Sequence, residues 1–134
     1  MLKQIVLLLV AVHVANSAVL NMVGKEGEKV VLDLGEGIVN WRRIRNGKEE
    51  FIKFCGPTEK SPRCGQFVTA DNKPALPKSN AVVLSNGNLV LDPLQSSDSG
   101  TYSSPDLTIK VTRLPSGAMV ATAPPQIDLT VTQN

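Results

Sequence analysis

Gly87-Asn88-Leu89-Val90-Leu91-Asp92-Pro93-Leu94-Gln95-Ser96-Ser97-Asp98-Ser99-Gly100-Thr101-Tyr102 decides how the rest of the chain is read. Leu89 and Leu91 alternate as one face of a strand, and Val82 and Leu84 alternate before the Asn86-Gly87 turn signal, so a hairpin is expected here. Gln95 to Gly100 is a cluster of turn-forming residues, and Thr101-Tyr102-Ser103-Ser104 follows as the next extended segment. Outward from this stretch the same short alternation recurs, broken by turns, without a long 3.6-residue apolar period. Val30, Leu32 and Leu34 read as one strand, Val39 and Trp41 open another, and Ile127, Leu129 and Val131 form a last one. The pattern is that of an all-β domain.

Asn46-Gly47 is the strongest two-residue hairpin signal in the chain, because both of its positions take positive φ. Such a loop pairs Arg45 with Lys48, Arg43 with Glu50, Trp41 with Ile52 and Val39 with Phe54. Val39, Trp41, Ile52 and Phe54 then share the core face, and Asn40, Arg42, Ile44, Phe51 and Lys53 share the other. Residues 56–80 read as a loop-dominated connection with one short strand around Gln66-Phe67-Val68. Leu107, Ile109 and Val111 alternate on odd numbers whereas Tyr102 is even, so a bulge or kink at Ser104-Pro105-Asp106 is expected to absorb the change of phase. Leu114-Pro115-Ser116-Gly117 is a further turn, and Ala123-Pro124-Pro125 a break.

The first 17 of the 134 residues stand apart. Lys3 precedes an unbroken apolar run from Ile5 to Val12, and Ala15-Asn16-Ser17 puts small residues where a signal peptidase cuts. Residues 1–17 therefore read as a signal peptide and 18–134 as a single domain. The run is too short to span a bilayer, and with no anchor after Val131 a soluble, secreted, extracellular product is expected. The chain carries 14 basic and 12 acidic residues, a balance that argues against nucleic acid or an anionic membrane as partner. Its only histidine, His13, departs with the leader. Without an imidazole there is no Ser-His-Asp or Cys-His nucleophile and no histidine-dependent metal site, so no enzymatic activity, cofactor or metal is expected. Cys55 and Cys64 are expected to pair, closing a short loop worth roughly 2 to 3 kcal/mol. Zinc is the poorer alternative, since two thiolates would need carboxylates to complete the tetrahedron.

The Gly87–Tyr102 stretch resembles the E-strand to F-strand segment of an immunoglobulin superfamily domain of the I-set or V-set kind. There an alternating strand and a spaced apolar residue precede Asp-x-Gly-x-Tyr, here Asp98, Gly100 and Tyr102. Gly27-x-x-Val30-x-Leu32 resembles strand B, and Trp41 resembles the strand C tryptophan. The resemblance covers most of residues 18–131 and extends to short secreted single-domain immunoglobulin-like proteins of invertebrates. It implies a β-sandwich of two antiparallel sheets in which the tyrosine hydroxyl pins the E–F corner. Where the family places its two inter-sheet cysteines this chain has Leu34 and Ser104. The missing cross-link is worth about 4 kcal/mol in the chain-entropy model.

Such domains work mainly by recognition, so an extracellular protein partner or self-association is expected. One candidate surface is the outer face, with Arg42, Ile44, Phe51 and Lys53; the alternative is that the 56–80 connection covers Phe51 and the charges merely solvate the face. A second is the excursion 107–123, with Lys110, Arg113, Leu114 and Met119; the alternative is a ribbon that lies back and completes a sheet. A third is the disulfide loop, where Lys60-Ser61-Pro62 loosely resembles the reactive loop of a trypsin-like protease inhibitor. Asp98 is expected to play a structural part, in a corner salt bridge with Lys78 or Lys73 or in backbone hydrogen bonds. Glu49 and Glu50 point to opposite faces and make no glycosidase pair.

Overall fold

Asn46 and Gly47 have φ of 52° and 72°, and the two-residue loop they make sets the register of the hairpin around it. Strands β3 (Asn40–Arg45) and β4 (Lys48–Lys53) pair antiparallel, with Arg45 opposite Lys48, Arg43 opposite Glu50 and Trp41 opposite Ile52. The computed structural model describes residues 19–133, so the expected leader 1–17, His13 included, lies outside the described residues.

The remaining strands are β1 (Val19–Lys25), β2 (Val30–Leu32), β5 (Val68–Thr69), β6 (Ala81–Val83), β7 (Leu89–Leu91), β8 (Gly100–Ser103), β9 (Lys110–Arg113), β10 (Met119–Thr122) and β11 (Gln126–Thr132). They form a six-stranded sheet in the order β1-β11-β8-β3-β4-β5, a three-stranded sheet β2-β7-β6 and a two-stranded ribbon β9-β10. Every pairing is antiparallel except β1 with β11. The chain is all-β, as expected. Strand β1, which the sequence pattern does not announce, closes one edge of the large sheet.

The β6–β7 hairpin corrects the expected register. Its loop has three residues, Ser85-Asn86-Gly87, and the Gly87 N–H donates to Leu84 O at 2.9 Å with Gly87 at φ 93°. The extra residue moves the pairing by one, so Val83 faces Leu89 and goes to the core while Val82 and Leu84 turn outward. Gly87 is fixed twice over. A Cβ there would sit 2.8 Å from Ile38 O, and its carbonyl accepts the buried Trp41 indole N–H at 2.8 Å. At Gly100 a Cβ would meet Ile44 O at 2.6 Å, so only glycine lets β8 lie against β3.

One hydrophobic cluster draws on both larger sheets. Trp41, Ile52, Tyr102, Ile127 and Leu129 come from the six-stranded sheet, Leu32, Val83, Leu89 and Leu91 from the three-stranded one, and Leu34, Ile38, Phe67 and Leu94 from connections. Leu34 is buried, though it lies beyond the end of β2. Val39 is a correction: it stands just before β3 and is 39% exposed, while Phe54 packs against the core only in part.

The core face of β3 and β4 also carries charge. Arg43, Arg45 and Glu50 are buried on the same side as Trp41 and Ile52, and Asp98 joins them. Arg43 Nε donates to Glu50 at 2.6 Å, and its Nη1 reaches Asp98 at 3.5 Å and the Tyr102 hydroxyl at 3.2 Å. Its guanidinium carbon lies 3.7 Å from the Phe67 ring centre. Arg45 donates to the same Glu50 oxygen at 2.8 Å and to the carbonyls of Ser97 and Pro77. The partner of Asp98 is therefore Arg43, together with the Ser79 hydroxyl and the Gln95 N–H. Lys78 plays no part in this, and Lys73 pairs with Asp71. The Tyr102 hydroxyl donates to Asp98 O at 2.6 Å, and burial pushes its pKa up to about 12 although Arg43 pulls the other way.

The break expected at Ser104-Pro105-Asp106, a bulge or kink, takes the form of a turn. Strand β8 stops at Ser103, and Ser104, nearly buried, donates through Oγ to Asn40 O at 2.6 Å. That bond supplies the partner its hydroxyl requires. Asp106 then accepts the N–H groups of Val39 and Asn40 at 2.8 Å and the Asn40 amide at 2.9 Å, pinning the root of the ribbon to the start of β3. Burial opposes the charge on Asp106, but these donors outweigh it and hold its pKa below the usual carboxylate range.

Candidate functional site

The outer face of the six-stranded sheet is built by alternation from β3, β4 and β8. Arg42 stands opposite Phe51 and Ser103, and Ile44 opposite Glu49 and Thr101. Arg42 and Glu49 form an exposed ion pair at 3.6 Å. Ile44 is exposed, whereas Phe51 is half-buried under the guanidinium of Arg63, whose carbon lies 4.3 Å from the ring centre. Arg63 belongs to the connection after β4, so that segment does cover Phe51 in part. Lys53 donates to Glu59 and so holds the Glu59 carboxyl below its ordinary pKa. Two of the four residues expected to bind on this face are thus engaged by the disulfide loop.

That loop is held by the Cys55–Cys64 disulfide and by the Lys53 N–H, which donates to Arg63 O at 2.9 Å. Lys60 is exposed and Ser61 half-buried. On either side the chain curls into turns, with Glu59 N–H donating to Gly56 O and Cys64 N–H to Ser61 O. Among the described residues, Cys55, Glu59 and Cys64 are the grouping with donor atoms close enough for a metal. Both sulfurs are consumed by the disulfide.

The ribbon is the second candidate, and it completes neither sheet: among the described residues β9 and β10 pair as strands with each other alone. Its tip repeats the three-residue loop of the β6–β7 hairpin, with Gly117 N–H donating to Leu114 O and Gly117 at φ 88°. Residues directly opposite in an antiparallel pair share a face, so Val111 with Ala121 and Arg113 with Met119 make one side of the ribbon. Lys110 with Thr122 and Thr112 with Val120 make the other. Ile109, Val111 and Met119 are 63%, 58% and 48% exposed, and Leu114 at the tip is exposed too. All four expected ribbon residues, Lys110, Arg113, Leu114 and Met119, are therefore on the surface.

No local pattern in the sequence marks the cleft between the two candidates. A space of about 310 Å³ lies at the ribbon's root, with Arg42 and Ser103 of the outer face on one side and Pro105, Leu107, Pro124 and Pro125 on the other. The proline-rich break before β11 and the turn after β8 were legible separately, but nothing local says that they meet beside Arg42. Among the described residues no helix is long and apolar enough to cross a membrane. A scan of protein-family models and a search of curated proteins find nothing that matches this chain.

Proposed function

We propose that the chain is a secreted immunoglobulin-like β-sandwich that acts without catalysis, as a protein-binding module in extracellular recognition, adhesion or signalling. Strand order supports the fold part of this reading. The order β2-β7-β6 corresponds to B-E-D of an immunoglobulin domain, and β11-β8-β3-β4-β5 to G-F-C-C′-C″ of a variable-type one. The bond from the Tyr102 hydroxyl to Asp98 O has the character of the corner tyrosine in that family. A hydrophobic cluster shared by the two sheets is what a sandwich requires.

One observation carries the binding part: the ribbon pairs only with itself and holds Ile109, Val111, Leu114 and Met119 in solvent beside Lys110 and Arg113. Keeping apolar side chains ordered and wet costs free energy that docking against a protein surface recovers. The partner is an extracellular protein or a second copy of this chain. The test is a binding screen of the folded protein against extracellular proteins and itself. It is repeated with Val111→Asp/Met119→Asp on the ribbon and with Phe51→Asp on the sheet. Loss of roughly tenfold or more in affinity for the ribbon variant alone, with Trp41 fluorescence unchanged, is the expected result. A partner that ignores the ribbon variant but is lost with Phe51→Asp moves the site to the sheet, and no protein partner at all rejects the reading.

A further inference from the structure

We propose that the cleft at the root of the ribbon binds the terminal carboxylate of a partner's polypeptide chain, with Arg42 as the residue that receives it. This rests on the reading of the chain as a protein-binding module and adds the chemistry of one contact. In Arg42-Arg43-Ile44-Arg45 the alternation of β3 sends the arginines to different surroundings. Arg43 and Arg45 turn inward and donate to Glu50, Asp98, Tyr102 and backbone carbonyls, although Arg43 Nη2 has no acceptor. Arg42 turns outward to the cleft, and among the described residues its one partner is Glu49, through Nη1 at 3.6 Å. The Arg42 side chain is 41% exposed, so the outer part of the fork is open to a ligand, whereas its Nε is buried and has no acceptor. A guanidinium has five N–H donors in a planar fork, and a buried donor left without an acceptor is costly.

The lining says what kind of acceptor fits. Arg42 is the only charged side chain in it, which matches one negative charge rather than a phosphate or sulfate cluster. A carboxylate meets a guanidinium fork in two parallel bonds. The opposite walls, Pro105, Leu107, Pro124 and Pro125, are apolar. At about 310 Å³ the cleft is at the small end of ligand sites, and it admits the end of a chain better than a strand running through. The last residue of a polypeptide carries its carboxylate and its side chain on one Cα, so a single aliphatic terminal residue satisfies both walls. Ser103 ends β8 and Gln126 opens β11, which puts the polar side of the cleft on sheet strands that keep its geometry.

The test is an NMR titration of the folded protein with three peptides: N-acetyl-Gly-Ala-Leu as the free acid, the same peptide as its amide, and N-acetyl-Gly-Glu-Leu amide. The free acid should shift the amides of Ser103, Leu107 and Gln126. Amidation, or Arg42→Gln, should weaken it roughly tenfold, and Arg42→Lys should recover only part. Equal binding of acid and amide, or an unchanged titration in Arg42→Gln with Trp41 fluorescence intact, overturns the proposal. Stronger binding of the internal glutamate peptide overturns the choice of a chain terminus. A protein that captures a partner through its ribbon but takes none of the peptides rejects this site alone. One that takes the free acid but no protein partner rejects the wider reading and keeps the site.

Discussion

Replacing Arg43 with methionine keeps an unbranched apolar stem in the core and removes one charge from a buried group of four. In the native structure Arg43 and Arg45 balance Glu50 and Asp98, and all four are nearly or fully out of solvent. The substitution deletes the 2.6 Å bond to Glu50, the 3.5 Å contact to Asp98 and the 3.2 Å bond to Tyr102. Glu50 keeps Arg45, and Asp98 keeps Ser79 and the Gln95 N–H, so the carboxylates remain hydrogen-bonded but one negative charge is uncompensated. Removing one member of a buried ion pair costs about 3 to 5 kcal/mol, a large part of the ~5 to 15 kcal/mol that holds a domain folded. Trp41 is the only tryptophan and is fully buried, so its fluorescence reports urea unfolding without a label. With urea slopes of about 1 to 3 kcal/mol per molar for small proteins, the midpoint should fall by roughly 1 M or more at unchanged slope. Arg43→Met/Asp98→Asn restores the balance and should be less destabilised than the sum of the single changes. A shift below about 1 kcal/mol, or strict additivity, would mean that the four charges do not act as a unit.

Two further outcomes follow from single groups. Tyr102 is the only tyrosine, and its pKa is raised from 10.0 to about 12, first by burial. A raised folded value means the unfolded chain loses its proton first, so this contribution is complete below pH 10 and is lost as pH rises toward about 12. Phenolate absorbance should therefore appear only in step with the loss of Trp41 fluorescence, and ionisation near pH 10 in the folded protein would contradict the corner geometry. The non-reduced protein should be lighter than the reduced one by two hydrogens, with the bridge mapped to Cys55 and Cys64. Reduction should cost about 2 to 3 kcal/mol, and free thiols in the native protein would refute the loop.

What was legible in the sequence was local. Asn46-Gly47 dictates its own φ values, so the β3–β4 register followed from two residues. Asn86-Gly87 looks the same on paper, yet there the glycine serves as the third loop residue, and the whole of β6 turns over as a result. Strand β1 alternates poorly, and its partner β11 lies at the far end of the chain. A pairing so distant leaves no local mark. The buried charges were implied but passed over. Period-two alternation placed Arg43, Arg45 and Glu50 beside Trp41 and Ile52, while the habit of sending charge to the surface hid the consequence. On the outer face, the stacking of Arg63 on Phe51 depends on how a loop folds back, and spacing alone does not give it.

The buried network also bears on what stands in place of a covalent tie. If the chain is the immunoglobulin-like sandwich proposed above, Leu34 and Ser104 stand where that family pairs its cysteines; they offer apolar volume and one hydrogen bond. The arginines of β3 reach further. Arg45 holds Pro77 O and Ser97 O, while Arg43 holds Asp98, which in turn holds Ser79 just before β6. These bonds join the six-stranded sheet to the segments that lead into β6 and β8, which is the work of a cross-link. Unlike a disulfide, such a tie is only as good as its last satisfied member, because each lost partner strands a charge in a dry core. It therefore constrains β3: Arg43 faces inward, where its bonds hold Glu50, Asp98 and Tyr102. Alternation then fixes position 42 outward, where the guanidinium pairs with Glu49 and lines the cleft.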